Sequence, residues 1–183
     1  MKKYIALFSF VAALMFTGCS VYTDEEPGGV ATQDLCGTWV ITVEASLAET
    51  NATVDLSTAD KAALDATADW VDQNGGKTFL RTYNTAANDA DSIWFDDDNF
   101  WREKFKISCN SSKLSFVADS VPSITGSGCE ATIRYGQVLK GAATTPRGQK
   151  ADSIIAYVFY NDGYDLTYKF SGFRYTGFAE DTY

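Results

Sequence analysis

The chain has 183 residues, with 15 Lys and Arg against 24 Asp and Glu for a formal charge of −9, a length that suits one ordinary domain, or at most a domain plus a small appendage. It contains no histidine, which excludes Ser-His-Asp and Cys-His catalysis, His-bearing zinc sites and imidazole proton shuttles. The acidic balance argues against nucleic acid as a partner, because phosphates are bound by Lys and Arg, and 4 Trp, 10 Tyr and 12 Phe against 3 Pro favour strands over helices.

Lys2 and Lys3 precede an almost uninterrupted apolar stretch from Tyr4 to Phe16. It is shorter than the ~20 residues of a membrane span and reads as a signal peptide. The following Met15-Phe16-Thr17-Gly18-Cys19 resembles the lipobox of bacterial lipoproteins. That resemblance implies cleavage between Gly18 and Cys19, diacylglycerol on the Cys19 sulfur, and the membrane as a partner through the acylated cysteine. Each buried CH₂ of such chains adds ~0.8 kcal/mol of anchoring. Removing the first 18 residues of 183 leaves 165, and losing Lys2 and Lys3 takes the charge from −9 to −11. Residues 19–34, with Asp24-Glu25-Glu26-Pro27-Gly28-Gly29, read as an acidic tether. Acidic residues soon after the cysteine resemble the surface-export signal of Bacteroidota lipoproteins. The expected location is therefore the outer membrane, on its periplasmic side or at the cell surface.

Residues 35–183 read as one β domain. Trp39, Ile41 and Val43 share one face of a first strand. Further strands are predicted over Lys77–Thr85, Asp91–Asp96, Phe100–Cys109 and through Leu114, Phe116 and Ala118. Three more cover Glu130–Lys140, Ala151–Tyr160 and Leu166–Tyr175, with Gly172 a candidate bulge. Asp96-Asp97-Asp98-Asn99, Asn110-Ser111-Ser112-Lys113 and Asn161-Asp162-Gly163 supply turns. The one departure is Leu47–Gly76, where Ser57-Thr58 can cap a helix over Ala59–Gln73 and Asn74-Gly75-Gly76 can end it. The expected fold is all-β: an eight-stranded up-and-down antiparallel barrel with a partly helical flap between strands one and two.

Gly37-Thr38-Trp39 resembles the Gly-x-Trp signature of the lipocalin and wider calycin group. The resemblance implies that Trp39 closes one end of the barrel and is covered by a basic residue of the last strand. Alternating strand directions bring Arg174 to that end. A second resemblance covers most of the domain. Tyr83-Asn84-Thr85-Ala86-Ala87-Asn88-Asp89, Trp94-Phe95-Asp96-Asp97, Asn99-Phe100-Trp101, Leu139-Lys140-Gly141-Ala142, Thr145-Pro146, Ala151-Asp152-Ser153-Ile154 and Ser171-Gly172-Phe173-Arg174-Tyr175-Thr176-Gly177-Phe178 resemble, in order and spacing, a Bacteroidota lipoprotein family. That family is labelled "lipid-binding putative hydrolase" and has a lipocalin-like barrel.

The same direction count puts the flap, Asp96–Asn99, Ser120–Gly128 and Asn161–Asp165 at the end opposite Trp39, where a lipocalin opens. Trp70, Trp94, Phe100, Trp101, Phe105, Tyr135, Tyr157 and Phe159 are the candidates to line a cavity for a small hydrophobic ligand or lipid; the alternative is that they fill the barrel as packed core. Asp96, Asp97 and Asp98 are adjacent residues of a solvated hairpin tip, and no Gly-x-Ser-x-Gly or Ser-x-x-Lys pattern occurs. No catalytic residue, metal ligand or cofactor is therefore assigned. A hydrolase acting through carboxylates at the mouth and a filled structural module stand as the other readings, and oligomeric state is not specified. Once Cys19 is lipidated, Cys36, Cys109 and Cys129 remain. Three buried free thiols are expected, with Cys36–Cys109 the pairing that strand direction permits.

Overall fold

The computed structural model describes residues 29–46, 77–161 and 166–182. The signal segment, Cys19, the flap with its helix and Trp70, and the middle of the Asn161-Asp162-Gly163 turn lie outside the described residues. The alternating segments form eight strands: β1 (Gly37–Ser46), β2 (Thr78–Asn84), β3 (Ser92–Asp96), β4 (Lys104–Asn110), β5 (Ser115–Pro122), β6 (Glu130–Thr144), β7 (Lys150–Tyr160) and β8 (Thr167–Arg174). They close into one barrel in chain order, with β8 returning to β1 and every neighbouring pair antiparallel. The all-β up-and-down barrel expected from the sequence is the fold the chain adopts.

Period-two patterning fills the inside. Trp39, Ile41 and Val43 of β1, Ile93 and Phe95 of β3, Phe105 and Ile107 of β4, and Ile154, Ala156, Val158 and Tyr160 of β7 are all buried. Each large side chain taken out of water in this way contributes ~1.5–3 kcal/mol. The end where β1 begins is called the lower end, and the end where β1 finishes the upper. The chain is already packed on the barrel at Thr32, which is buried, so the lower seal begins inside the stretch read as tether.

Three details differ from expectation. Phe100 and Trp101 precede β4 rather than opening it, because Arg102 has a φ of 62° and breaks the extended run. β6 runs on to Thr144, and its pairing with β7 is interrupted by register shifts between Ile133 and Tyr135 and between Leu139 and Ala143. Gly172 is not a bulge: its pairings with Ile41 of β1 and Ile154 of β7 continue the neighbouring register. Its reason is close approach, since a Cβ there would overlap the backbone of Val40 and Ile41.

Candidate functional site

The lower end is shut by groups fixed to the strands. Trp39 donates its indole Nε1–H to Thr82 Oγ1 at 2.8 Å, and Thr82 donates onward to the Leu35 carbonyl at 2.6 Å. Those bonds hold the 3-10 turn Gln33–Leu35 under the barrel, with Leu35 buried as a stopper. Arg174 pairs with Trp39 across the β8–β1 seam and lays its guanidinium 4.4 Å from the Trp39 ring centroid, a cation–π contact. The guanidinium also donates to the Cys36 carbonyl, to the Asp34 carbonyl at 3.1 Å and to Asp152 Oδ2 at 3.2 Å. A Cβ on Gly37 would overlap the Arg174 guanidinium, which is the physical content of Gly-x-Trp in this chain. Burial works against the Asp152 charge, but the Gly141 N–H, Lys140 and Arg174 outweigh it and hold the carboxyl below the ordinary range.

The upper end is closed differently. Asp97 is wholly buried and folds back over its own loop. Its Oδ1 accepts the Glu103 amide at 2.9 Å and its Oδ2 accepts the Tyr160 hydroxyl at 2.8 Å; the Trp101 and Arg102 amides donate to it as well. Gathering amides from the far end curls the loop so that Phe100 leans into the barrel and Trp101 lies across its mouth. Phe100 meets Tyr168 and Phe170 edge-on, at 5.1 and 5.5 Å between centroids. Trp101 lies 6.1 Å from Tyr160 and 6.3 Å from Tyr168. Beneath them, Phe170 stacks on Phe95 at 6.1 Å and Phe105 sits against Tyr160 at 6.0 Å. These are the offset and edge arrangements that aromatic quadrupoles favour.

Burial raises the Asp97 carboxyl to about 6 against the pull of its four donors. Tyr160, also buried, is held well above the ordinary phenol range, first by burial and then by the Asp97 charge, so it remains a donor. Burial opposes the charge of Glu103, but the hydroxyls of Ser123, Thr125 and Ser127 outweigh it and hold that carboxyl low; Thr125 donates at 2.6 Å. Both Asp97 oxygens are committed to the loop and to Tyr160, so in this arrangement the side chain organises backbone and presents no base to a substrate. Among the described residues, no group of three or more His, Cys, Asp or Glu is placed to hold a metal ion.

Of the eight residues expected to line a cavity, the structure brings three to the interior or its upper opening. Phe105 is core, Phe100 is half-buried under the upper loop, and Trp101 is 37% exposed above it. Trp94, Tyr135, Tyr157 and Phe159 are corrections: all four lie on the outer face, out of phase with the buried Phe95, Ile133, Val158 and Tyr160. On that surface Tyr135 is 47% exposed, and its ring lies 6.2 Å from that of Tyr157. Trp94 shares the Lys104 ammonium with Tyr83, at 5.2 and 4.8 Å. Trp70 falls outside the described residues. The inward aromatics absent from the eight candidates include Tyr160, Tyr168 and Phe170, and also Phe95, whose neighbour Trp94 stood in its place. Tyr160 was hidden because both faces of β7 are apolar; Tyr168 and Phe170 share the face of Arg174, which was a usable signal. Asp97 was misplaced as a solvated hairpin tip.

Cys36, Cys109 and Cys129 are free thiols, half-buried rather than buried, and no Cys36–Cys109 bridge forms. Cys36 Sγ faces the Thr32 hydroxyl at 3.3 Å, while Cys109 Sγ points at the Ala90 carbonyl at 3.8 Å. Burial, then Asp91 and Cys36, push the Cys109 thiol up to about 11, away from the thiolate that exchange chemistry requires.

A closed eight-stranded up-and-down barrel, apolar inside and sealed at one end by a Trp beneath an Arg, is a lipocalin-like barrel. The particular family follows from the sequence: the profile described as "Lipid-binding putative hydrolase" matches residues 24–179, and the chain belongs to that family. A search of curated proteins returns no match.

Proposed function

We propose that the protein is a lipid-anchored, extracytoplasmic carrier whose barrel takes the apolar part of a small hydrophobic or amphipathic ligand through its upper end. One observation carries this reading: the two ends of an apolar, aromatic-rich interior are closed by different means. The lower seal is built from strand residues and a turn hydrogen-bonded to them, whereas among the described residues the upper closure is two aromatic side chains on a loop. A pocket of this kind binds by removing apolar area from water, worth about 25 cal/mol per Å². Membership of a lipid-binding family supports the ligand class, and the Met15–Cys19 pattern supports the anchor.

The test is to express the full chain with its signal segment and purify it from the envelope. The intact mass is expected to carry diacylglycerol on Cys19. A lipid extract analysed by mass spectrometry is expected to contain one class of lipid at near-equal molar ratio, absent from a mock purification. An extract without lipid, together with no binding of a dansyl-labelled undecanoic acid, refutes the carrier reading. An unmodified thiol at Cys19 refutes the anchor.

A further inference from the structure

The loop between β3 and β4 has the construction of a moving part. Asp98 and Arg102 have φ values of 54° and 62°, in the left-handed region that residues with a Cβ rarely adopt. They bracket Asn99, Phe100 and Trp101, so the backbone turns on either side of the short segment that carries the two rings. Such outliers persist only where surrounding contacts over-determine them. Here the contacts belong mostly to one group. The Asp97 carboxylate gathers the Trp101, Arg102 and Glu103 amides and is itself held by the Tyr160 hydroxyl from β7. Other ties include the Phe100 amide to the Asp97 carbonyl and the Asp97 amide to the Glu103 carbonyl, both at 3.1 Å, the Asp98 amide to Asp96 Oδ1 at 3.0 Å, the surface ion pair of Asp98 with Arg81, and the Thr125 hydroxyl to Glu103 at the end of the segment.

From this geometry we infer that Asp97–Glu103 is a gate for the barrel, with Asp98 and Arg102 as hinges, Phe100 and Trp101 as the plug, and the Asp97–Tyr160 hydrogen bond as the latch. The inference rests on the carrier reading and deepens it by fixing how much of a ligand enters. Withdrawal of the two rings uncovers Tyr168 and Phe170, and Phe95 still fills the barrel below them through its stack on Phe170. The room released is one layer of rings deep. It takes a ring or a short length of acyl chain, and the rest of the ligand stays outside. Affinity for a series of saturated fatty acids therefore rises about fourfold per methylene at first and then levels off.

The experiment uses the full chain and two variants, Tyr160→Phe, which removes the latch hydroxyl, and Trp101→Ala, which keeps the latch and shrinks the plug. Amide hydrogen exchange reads the loop directly, and stopped-flow fluorescence reads association of dansyl-labelled undecanoic acid. Tyr160→Phe is expected to speed exchange at Trp101, Arg102 and Glu103 about tenfold, the worth of one hydrogen bond to a charged group, while the β1–β8 seam stays protected. Both variants are expected to speed probe association. Exchange that rises equally in the loop and in the seam overturns the gate, since the barrel then opens as a whole. Association at a rate that neither variant changes overturns the gate while leaving the carrier reading standing. Absence of binding in the wild type and in both variants overturns the carrier reading, and with it any ligand for the gate to admit.

Discussion

Replacing Arg174 with Met keeps an apolar stem over Trp39 and removes the guanidinium, which isolates what the charge does at the lower seal. The group lies 4.4 Å from the Trp39 ring, a contact worth about 0.5–2 kcal/mol when partly desolvated. It also donates to two main-chain carbonyls, those of Cys36 and Asp34. Each such bond from a charged donor contributes about 1 kcal/mol or more, and the carbonyls are left unpaired when it goes. The ion pair with Asp152 is partly exposed and adds little. The expected loss is about 3 kcal/mol, a large share of the 5–15 kcal/mol that holds a typical domain together. Arg174→Lys keeps the charge without the planar fork and is expected to lose about half as much. Urea unfolding followed by tryptophan fluorescence gives both numbers, and a cycle with Trp39→Phe isolates the ring contact, with an expected coupling of about 1 kcal/mol. A loss under about 0.5 kcal/mol, or zero coupling, refutes the assignment of Arg174 as the clamp of the lower end.

Gly172→Ala drives a Cβ into the Val40 carbonyl and is expected to cost about 3 kcal/mol in the same assay, whereas a tolerated alanine contradicts the close approach of β1 and β8. The Asp97 carboxyl is raised from 3.8 to about 6, so its contribution to stability is fully present below pH 4 and lost as pH rises through 6. Relative to Asp97→Asn, the wild type is expected to lose about 2 kcal/mol between pH 4.5 and 7.5, and parallel profiles contradict the burial of the charge. Tyr135→Ser and Tyr157→Ser, on the outer face, are expected to change stability by less than about 0.5 kcal/mol each and to leave probe binding unaltered. Phe170→Ala, in the aromatic column, is expected to cost about 3–5 kcal/mol; equal effects inside and outside would reverse the assignment of faces. With its thiol pushed from 9.0 to about 11, Cys109 is expected to alkylate about 100-fold more slowly at pH 8 than an unperturbed thiol, as peptide mapping after iodoacetamide would reveal.

Strand number and order were legible because each strand is an alternating run closed by turn residues, and an up-and-down path needs nothing more. The inward face was legible where the two faces differ in chemistry. Trp39, Ile41 and Val43 alternate with Thr38, Thr42 and Glu44 in β1, Val40 being the one apolar residue on that face, and Phe105 and Ile107 alternate with Lys104 and Lys106 in β4. In β7 the contrast vanishes. Ile154, Ala156, Val158 and Tyr160 face in, but Ile155, Tyr157 and Phe159 are as apolar, and only the partner strands decide between them. Trp94 misled by its size: a bulky aromatic counts as core until a lysine from the next strand is seen lying over it. Asp97 was illegible for another reason. Three consecutive aspartates are chemically equivalent on paper, and what singles out the middle one, Asp97, is a hydroxyl 63 residues away, together with amides that exist as donors only once the loop has curled.

The seam that pairs Trp39 with Arg174 also governs when the molecule becomes safe. Strands β1 to β7 can pair with their sequence neighbours as a growing meander, each closing a local loop, of which the one between β1 and β2 is the longest. Throughout that growth the first strand and the latest one keep unpaired backbone groups along their outer sides. Such edges recruit other chains. They disappear only when β8 meets β1, a contact between opposite ends of the domain and therefore slow to find. The clamp residue Arg174 sits at the last position of that last strand, so the step that seals the lower end is the same step that removes both sticky edges. Any variant that weakens the clamp is therefore expected to show more aggregation during folding than its loss of equilibrium stability alone would explain.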